Sequence, residues 1–547
     1  MVVVRIGKRD LEHMSKVKRE DIENFFDVIG IEIKREDDDY WDLELYPDRP
    51  DLYSIFGLSR SLRIYYLNEG RRYRVKASNI KIMVDGSVKN VRPFIGGAVV
   101  RNLNLDDSLI AYIMDMQEKL HLSIGRDRKK IAIGIHDLDR VKPPFTYRAV
   151  RGDEVSFVPL GMDMEMTPEE ILKKHPKGIE YAHILSNSSL YPLILDSEGN
   201  VLSFPPIING ILTQIKEDTR NIFIDVTGTD LFTVINAINI ITTNLAEIGE
   251  EILSVNADYG TFSLLLPDLK RERMSISRNE IKELVGESIP YNAISRALRS
   301  MGYSISKNAD GFRVGIPPYR VDVMHNVDII EDIIKSYGYG RIRLSMPLRF
   351  SMGGESRAEI VKERLRKIMV GLGFMEVVNL TFTSPERNFK KFDLEESYSP
   401  TIMNPVVEDQ RIYRTWLFPM LMETLENNRH RSLPQKIFEI GRVYRGFETF
   451  HLGAVSEESD SSFTKVKGTV ERIVSSLGFN FSVDESGLPF LIQGRQSRIM
   501  IDGKDSGFFG EVHPSILERF NLGNPVTMLE IYMDIIYPEI FEDRLKF

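Results

Sequence analysis

Hydrophobic cores rarely keep growing past roughly 250–300 residues before a chain divides into domains. This sequence runs to 547 residues without a low-complexity tract, so it must hold several. With 42% hydrophobic and 28% charged residues it has ordinary material for folded cores. The opening residues, MVVVRIGKRDLEHM, lack the basic-then-apolar layout of a signal peptide. The most membrane-like stretch, 231–246, carries several Asn and Thr and is closed off by Asp230 and Glu247. It falls short of the roughly 18 apolar residues a spanning helix needs, so no membrane segment and no membrane partner is expected.

The chain has no cysteine, which excludes thiolate catalysis, disulfides and cysteine-held zinc and fits an intracellular protein. Its nine histidines show no HExxH or other close zinc spacing. A net charge of -9 argues against generic coating of nucleic acid, which depends on neutralised phosphates, but leaves local basic patches open. The strongest basic run is Arg126-Asp127-Arg128-Lys129-Lys130, with a smaller one at Arg429-His430-Arg431. Neither has the interleaved aromatics of a single-strand RNA platform, and a short solvated cluster is the commoner reading. There is no GxxxxGK[ST] phosphate loop and no GxSxG elbow.

Pattern and punctuation divide the chain at about residues 85, 270 and 346. Residues 1–85 read as short strands with a helix at 16–29, a strand at 40–46, and a second helix after Pro47 and Pro50 with Asp51 as its N-cap. In 86–270, strands at 130–135, 190–195, 221–226 and 261–266 and a helix at 231–245 alternate irregularly, which predicts α+β layering rather than a parallel repeat. Residues 271–346 read as a compact helical domain: Ser277-Arg278-Asn279-Glu280 opens one helix, 294–301 forms another, a hairpin joins 303–306 to 312–316, and a helix at 327–337 ends at Gly338. Residues 347–547 suit one antiparallel-sheet domain, with strands at 376–381 and 436–440, a helix at 416–427, and a loop or shortened hairpin over 445–464.

Two constellations carry chemistry. In RVDVMHNVDIIEDIIKSYGYG, helical spacing sets Asp328 beside Glu331 and Asp332, and Asp322 arrives from the preceding turn. Such carboxylates repel one another unless a hard cation such as magnesium offsets them. The competing reading is a solvated acidic face with Asp328 as a cap. In SFPPIINGILTQIKEDTRNIFIDVTGTDL, strand alternation puts Ile222, Ile224 and Val226 on one face and Phe223 and Asp225 on the other. A lone carboxylate there either points to water or lines a pocket, and Ser203, Asn209, Thr227, Thr229 and Asp230 supply polar neighbours.

Several segments together resemble the phenylalanyl-tRNA synthetase beta subunits of archaeal or eukaryotic cytosolic type. They are LYPDRPDLYSIFGLSRSLR at 45–63, HPKGIEYAHIL at 175–185, YPLILDSEGNVLSFPPIING at 191–210, FIDVTGTD at 223–230, PPYRVDVMHNVDIIEDIIKSYGYGRI at 317–342, NPVVEDQRIYRTWLFPMLMETLENNR at 404–429 and FEIGRVY at 438–444. Their order covers nearly the whole chain.

The resemblance implies an α+β multidomain chain with four parts. These are an N-terminal structural domain (1–85), an editing domain (86–270), a winged-helix-like magnesium-binding domain (271–346), and a class II synthetase-like antiparallel sheet with flanking helices (347–547). It implies hydrolysis of tyrosine misattached to tRNA(Phe), with Asp225 as the acidic residue of the pocket and Ser203 and Thr227 beside it. It implies magnesium held by Asp322, Asp328, Glu331 and Asp332, the last standing where some members carry Glu. Pro405 and the helix from Trp416 resemble dimer-forming elements. The glycine-rich, arginine-ending segment of a working ATP site is missing, and FFGEVHPSILERF stands at 508–520 instead. Activation of phenylalanine with ATP is therefore expected on a separate alpha subunit, in a cytoplasmic alpha2-beta2 heterotetramer. After the last domain no room is expected for the oligonucleotide-binding and anticodon-binding domains of the longer bacterial chains, so tRNA contact should come from distributed surfaces and the alpha subunit. The alternatives are a non-catalytic paralogous scaffold or RNA-binding protein, and a free-standing deacylase.

Overall fold

The computed structural model describes residues 2–186, 188–346 and 351–541. It is a multidomain α+β chain that divides into two compact units, Met1–Met346 and Pro347–Phe547. The expected start of the last domain, at residue 347, lies outside the described residues. Among the described residues, no helix is long and apolar enough to cross a membrane.

The first unit is organised by an 11-stranded sheet, joined by separate three-stranded sheets near each end of the unit. Its strand Asn221–Gly228, next to one edge, lies antiparallel between Phe94–Arg101 and the edge strand Ile131–Asp137. The alternation read from the sequence decides the layering. Ile222, Ile224 and Val226 pack with Val234, Ile238 and Ile241 of the helix Leu231–Leu245, which Asp230 caps by accepting from the Thr233 amide at 2.9 Å. Phe223, on the other face, stacks on Phe145 at 4.4 Å. Both faces are covered, so Asp225 and Thr227 on this strand are buried as well.

Near the start of the unit, Ser54 and not Asp51 caps the helix Ile55–Leu62, accepting from the Gly57 amide at 3.2 Å. Asp51 is buried one turn earlier, where it accepts two bonds from Arg49 at 2.8 and 2.9 Å and one from Arg60 at 3.4 Å. At the end of the unit a reciprocal capping box, Ser277 with Glu280, opens the helix Arg278–Val285. The hairpin of Ser304–Lys307 and Gly311–Gly315 gains a third strand, Arg273–Ser277, which the sequence pattern did not reveal.

The second unit is a seven-stranded sheet, antiparallel except for the edge pair of Met375–Glu376 with Gln435–Tyr444. Helices Arg357–Gly371 and Phe463–Leu477 share one core with it, and helix Phe418–Asn428 belongs to another. The expected loop or short hairpin over 445–464 is a correction: Gln435–Tyr444 and Glu448–Glu457 form a ten-residue-long ladder. Glu448–Glu457 is covered on both faces, so its buried Thr449, His451 and Ser456 break the apolar alternation that marks a strand.

Candidate functional site

A cavity of about 380 Å³ opens in the first unit, within the roughly 300–1,000 Å³ common for small-molecule sites. Asp225 contributes to its lining, with Gly134 beside it, the 203–210 hairpin around it, and Gln117 and His121 of helix Asp107–Leu122 on another side. Asp225 is only 1% exposed and stands in register with Gly97 on one neighbouring strand and Gly134 on the other. Gly134 is required by this packing. A Cβ there would run into the Asp225 carboxylate and lie 2.5 Å from His136 Nε2.

The space left by Gly134 is filled by a polar chain. His136 Nε2 meets Asp225 Oδ2 at 2.7 Å, and His136 Nδ1 meets Thr213 Oγ1 at 2.7 Å. Both imidazole nitrogens are engaged, so His136 holds the carboxylate rather than attacking a substrate. Asp225 Oδ1 forms no hydrogen bond with any described residue, which leaves this cavity-lining residue one acceptor available. Arg92 lies close enough to attract this carboxylate. Burial pushes the Arg92 guanidinium down to about 10, against the opposing pull of Tyr147 and Asp225.

The basic run at 126–130 is partly a wall of this cavity. Arg126, Asp127 and Arg128 take successive left-handed conformations, with φ of 48°, 56° and 63°. Such residues cost energy that surrounding contacts must offset. Here Arg128 donates to the Ile207 carbonyl at 2.9 Å, pairs with Glu118 at 2.9 Å and lies 4.5 Å from the centre of the Tyr181 ring. The hydrogen bond from His121, helped by Arg128, holds the Glu118 carboxyl down at about 2. Burial lowers His121 itself. At 9% exposure Arg128 is no solvated cluster member.

Of the three residues expected in the pocket, the structure brings together Asp225 and Ser203. Ser203 lines the cavity, and its buried hydroxyl has no hydrogen-bond partner. Thr227 does not line it: its hydroxyl accepts from Arg92 Nε at 3.0 Å. His136, Thr213 and Gly134 were not foreseen. The signal was present in AIGIHD, where alternation puts Gly134 and His136 on one strand face, but the expected strand stopped at residue 135.

The four acidic residues at 322–332 are arranged differently. Asp322 and Asp332 both hold Arg320, at 2.7 and 2.6 Å, and Tyr303 donates to Asp332 at 2.6 Å. Asp328 accepts from the amides of Met324 and His325 at 2.8 Å each, as a helix cap does. Glu331 accepts from the Tyr339 hydroxyl at 2.8 Å. Among the described residues no group of three or more potential metal ligands converges. Without an ion, the Arg320 guanidinium offsets two of the four, Asp322 and Asp332.

Family comparisons give these sites a context. Residues 100–244, which contain the Asp225 strand, match the B3/4 domain. Residues 274–339 match the tRNA synthetase B5 domain, and 343–533 match the phenylalanyl tRNA synthetase beta chain CLM domain. The phenylalanine--tRNA ligase beta subunit of Methanothrix thermoacetophila is 41% identical over 98% of this chain and 100% of its own length. The chain belongs to the phenylalanine--tRNA ligase beta subunit family. The Methanosarcina barkeri member is 39% identical over 97% of this chain and 98% of its own. An N-terminal fragment of the Pyrococcus horikoshii phenylalanyl-tRNA synthetase beta subunit superposes with a TM-score of 0.60 at 38% identity, covering 62% of this chain and all of the fragment. In this family member, then, the matched B3/4 segment contains a buried carboxylate fixed by a histidine beside an open cavity.

Proposed function

We propose that the chain works as the beta subunit of a phenylalanine--tRNA ligase, and that its cavity hydrolyses tyrosine misattached to tRNA(Phe). One observation carries the editing reading: Asp225, which lines the cavity, is held through Oδ2 while Oδ1 remains an unused acceptor. A tyrosyl hydroxyl can donate to that oxygen, and a phenylalanyl ring has nothing to donate. Sites built to bind a hydroxyl reject the analogue lacking it strongly. Ser203 supplies a second unpartnered polar group. Thr227 acts at one remove, by holding Arg92 near the carboxylate.

In this reading ATP and phenylalanine are substrates of the complete enzyme and are handled by the alpha subunit, in a cytoplasmic alpha2-beta2 heterotetramer. The second unit supports an assembly role. Met403 and Val406, flanking Pro405 in sequence, are 89% and 103% exposed, apolar side chains that a partner surface would cover. The domain divisions at about residues 85, 270 and 346 belong to the same proposal, as do the class II-like character of the last part and the winged-helix-like character of the third. That third part has three strands and three helices, which is consistent with it. Magnesium held by Asp322, Asp328, Glu331 and Asp332 belongs to the same proposal: the last three lie within about one turn of the helix Asn326–Tyr337, and such an ion keeps part of its water. No step of the editing reaction passes through it.

The test uses purified Tyr-tRNA(Phe), the wild-type complex, and a D225A complex whose assembly has been verified. Loss of a charge-assisted hydrogen bond of about 1.5–3 kcal/mol should slow Tyr-tRNA hydrolysis roughly tenfold to a few hundredfold, with phenylalanine charging retained. Unchanged hydrolysis at both subsaturating and saturating substrate overturns the selector role. For the ion, anomalous scattering from soaked manganese at the cluster of Asp322, Asp328, Glu331 and Asp332 is the expected result, and its absence there while other exposed sites fill removes magnesium from the proposal.

A further inference from the structure

A second hollow in the first unit, about 180 Å³ in volume, is lined by five arginines: Arg60, Arg71, Arg72, Arg271 and Arg299. Among the described residues no acidic side chain lines it, although acids outnumber bases 80 to 71 in the whole chain. Like-charged guanidiniums gathered around one small space repel one another unless an anion joins them.

Four of the five are held without a carboxylate among the described residues, and only Arg60 pairs with one, Asp51. Arg71 donates to the carbonyls of Ala246, Gly249 and Glu250, the last two at 3.0 and 3.1 Å. Arg271 donates to the carbonyls of Gly302 and Gly315 at 3.1 and 3.3 Å. Carbonyls fix the position of a guanidinium without cancelling its charge. Arg72 and Arg299 form no ion pair with any described carboxylate. Arg60 is 1% exposed and sits 3.7 Å from the centre of the Tyr319 ring; its terminal nitrogens reach Asp51 at 3.4 Å and Asn244 at 2.9 Å, while its Nε has no hydrogen-bond partner among the described residues. A buried, unpartnered N–H beside a cationic hollow is a donor in need of an acceptor.

From this geometry we infer that the hollow is a phosphate-binding site. Arginine forks match tetrahedral oxyanions through paired N–H donors. The volume lies below the roughly 300 Å³ at which pockets begin to hold drug-sized ligands, so the site takes a phosphoryl group and not a whole nucleotide. That group has two possible sources, free inorganic phosphate or a phosphodiester of bound RNA. The RNA source rests on the proposal that this chain works with tRNA, and the inorganic source does not.

The experiment separates them. Inorganic phosphate is titrated calorimetrically into the full-length chain and into R72Q/R299Q, whose replaced side chains are exposed and whose fold is checked by circular dichroism and melting. Binding by wild type and at least about tenfold weaker binding by the variant is expected for a pocket that relies on charged donors. In parallel, tRNA(Phe) affinity is measured across a salt series. If a phosphodiester fills the site, the variant binds tRNA more weakly and its salt slope falls by about 1. If free phosphate fills it, tRNA affinity and slope stay unchanged while phosphate binding is lost. The inference is overturned if wild type does not bind phosphate, or if the folded variant binds it as well as wild type does. Neither result bears on hydrolysis at Asp225, which the D225A assay reads separately.

Discussion

Two buried histidine–carboxylate pairs in this chain share one design and differ in what it serves. In the first unit Asp225 stands in register with Gly134, and His136 lies two residues further along that strand. In the second, Glu530 stands in register with Gly453, and His451 lies two residues away. The contacts are nearly equal, 2.7 Å for His136–Asp225 and 2.6 Å for His451–Glu530. Yet Glu530 has no idle oxygen. Oε1 accepts from His451 and the Leu417 amide, and Oε2 accepts from the amides of Leu417 and Phe418 at the start of helix Phe418–Asn428. Asp225 keeps one oxygen unengaged, and a cavity lies beside it. A buried pair by itself therefore marks no binding site. The free acceptor beside open space does.

The largest effect should come from the pair without a cavity. E530A strips two helix-terminal amides and His451 of their buried acceptor, so the second unit should lose about 3–5 kcal/mol, read as a lower denaturant midpoint. A loss below about 1 kcal/mol would erase the structural half of the comparison. Next comes G134A. Its Cβ cannot coexist with the Asp225–His136 contact, and overpacking of this kind costs about 1–3 kcal/mol. Tyr-tRNA hydrolysis should fall with it while the second unit's unfolding midpoint stays put. Retained hydrolysis would show that the histidine contact is not needed to position Asp225.

Local pattern made much of this fold readable. The helix Leu231–Leu245, the capping box at Ser277 and Glu280, and the two faces of Asn221–Gly228 all follow from spacing within a few residues. The failures are long-range or two-faced. His136 and Asp225 are 89 positions apart, and only sheet pairing brings them together. Glu448–Glu457 is buried on both sides and carries polar residues inward, so it does not alternate. The acidic helix was read correctly for spacing, but spacing does not say what sits between carboxylates. Arg320, two residues before Asp322 in the same motif, pairs with Asp322 and Asp332, a contact that helical spacing alone does not give.

Acid gives a smaller test of the cavity side. Glu118, which pairs with the lining residues Arg128 and His121, is held at about 2 instead of its ordinary 4.5. A depressed carboxyl stabilises the fold fully above its unfolded value, and that contribution is lost as pH falls from about 4.5 toward 2. Because this side chain is 38% exposed, solvent screening reduces the contribution to about 1 kcal/mol. In E118Q the stability of the first unit should therefore change less between pH 5 and pH 3 than in wild type, by about 1 kcal/mol in denaturant titrations. Identical pH dependence in the two proteins would mean that His121 and Arg128 do not hold the wall through this carboxylate.

The smallest effect on stability, and the sharpest for the comparison, is expected at Ser203. Its hydroxyl is buried and unpartnered in the fold, so S203A removes a polar group that makes no contact and leaves no partner stranded. Removing such a group is close to neutral, and the unfolding midpoint of the first unit should move by less than about 0.5 kcal/mol in either direction. If the hydroxyl is kept for a ligand, hydrolysis of Tyr-tRNA should nevertheless slow, by about fivefold to tenfold for one neutral hydrogen bond of roughly 1 kcal/mol. The opposite arrangement is found at Thr213, whose hydroxyl supports His136, so T213A should disturb both stability and hydrolysis. A Ser203 variant that loses stability but keeps hydrolysis would make its hydroxyl part of the fold. It would also leave Asp225 as the one group tested here whose free acceptor distinguishes a site from a structural pair.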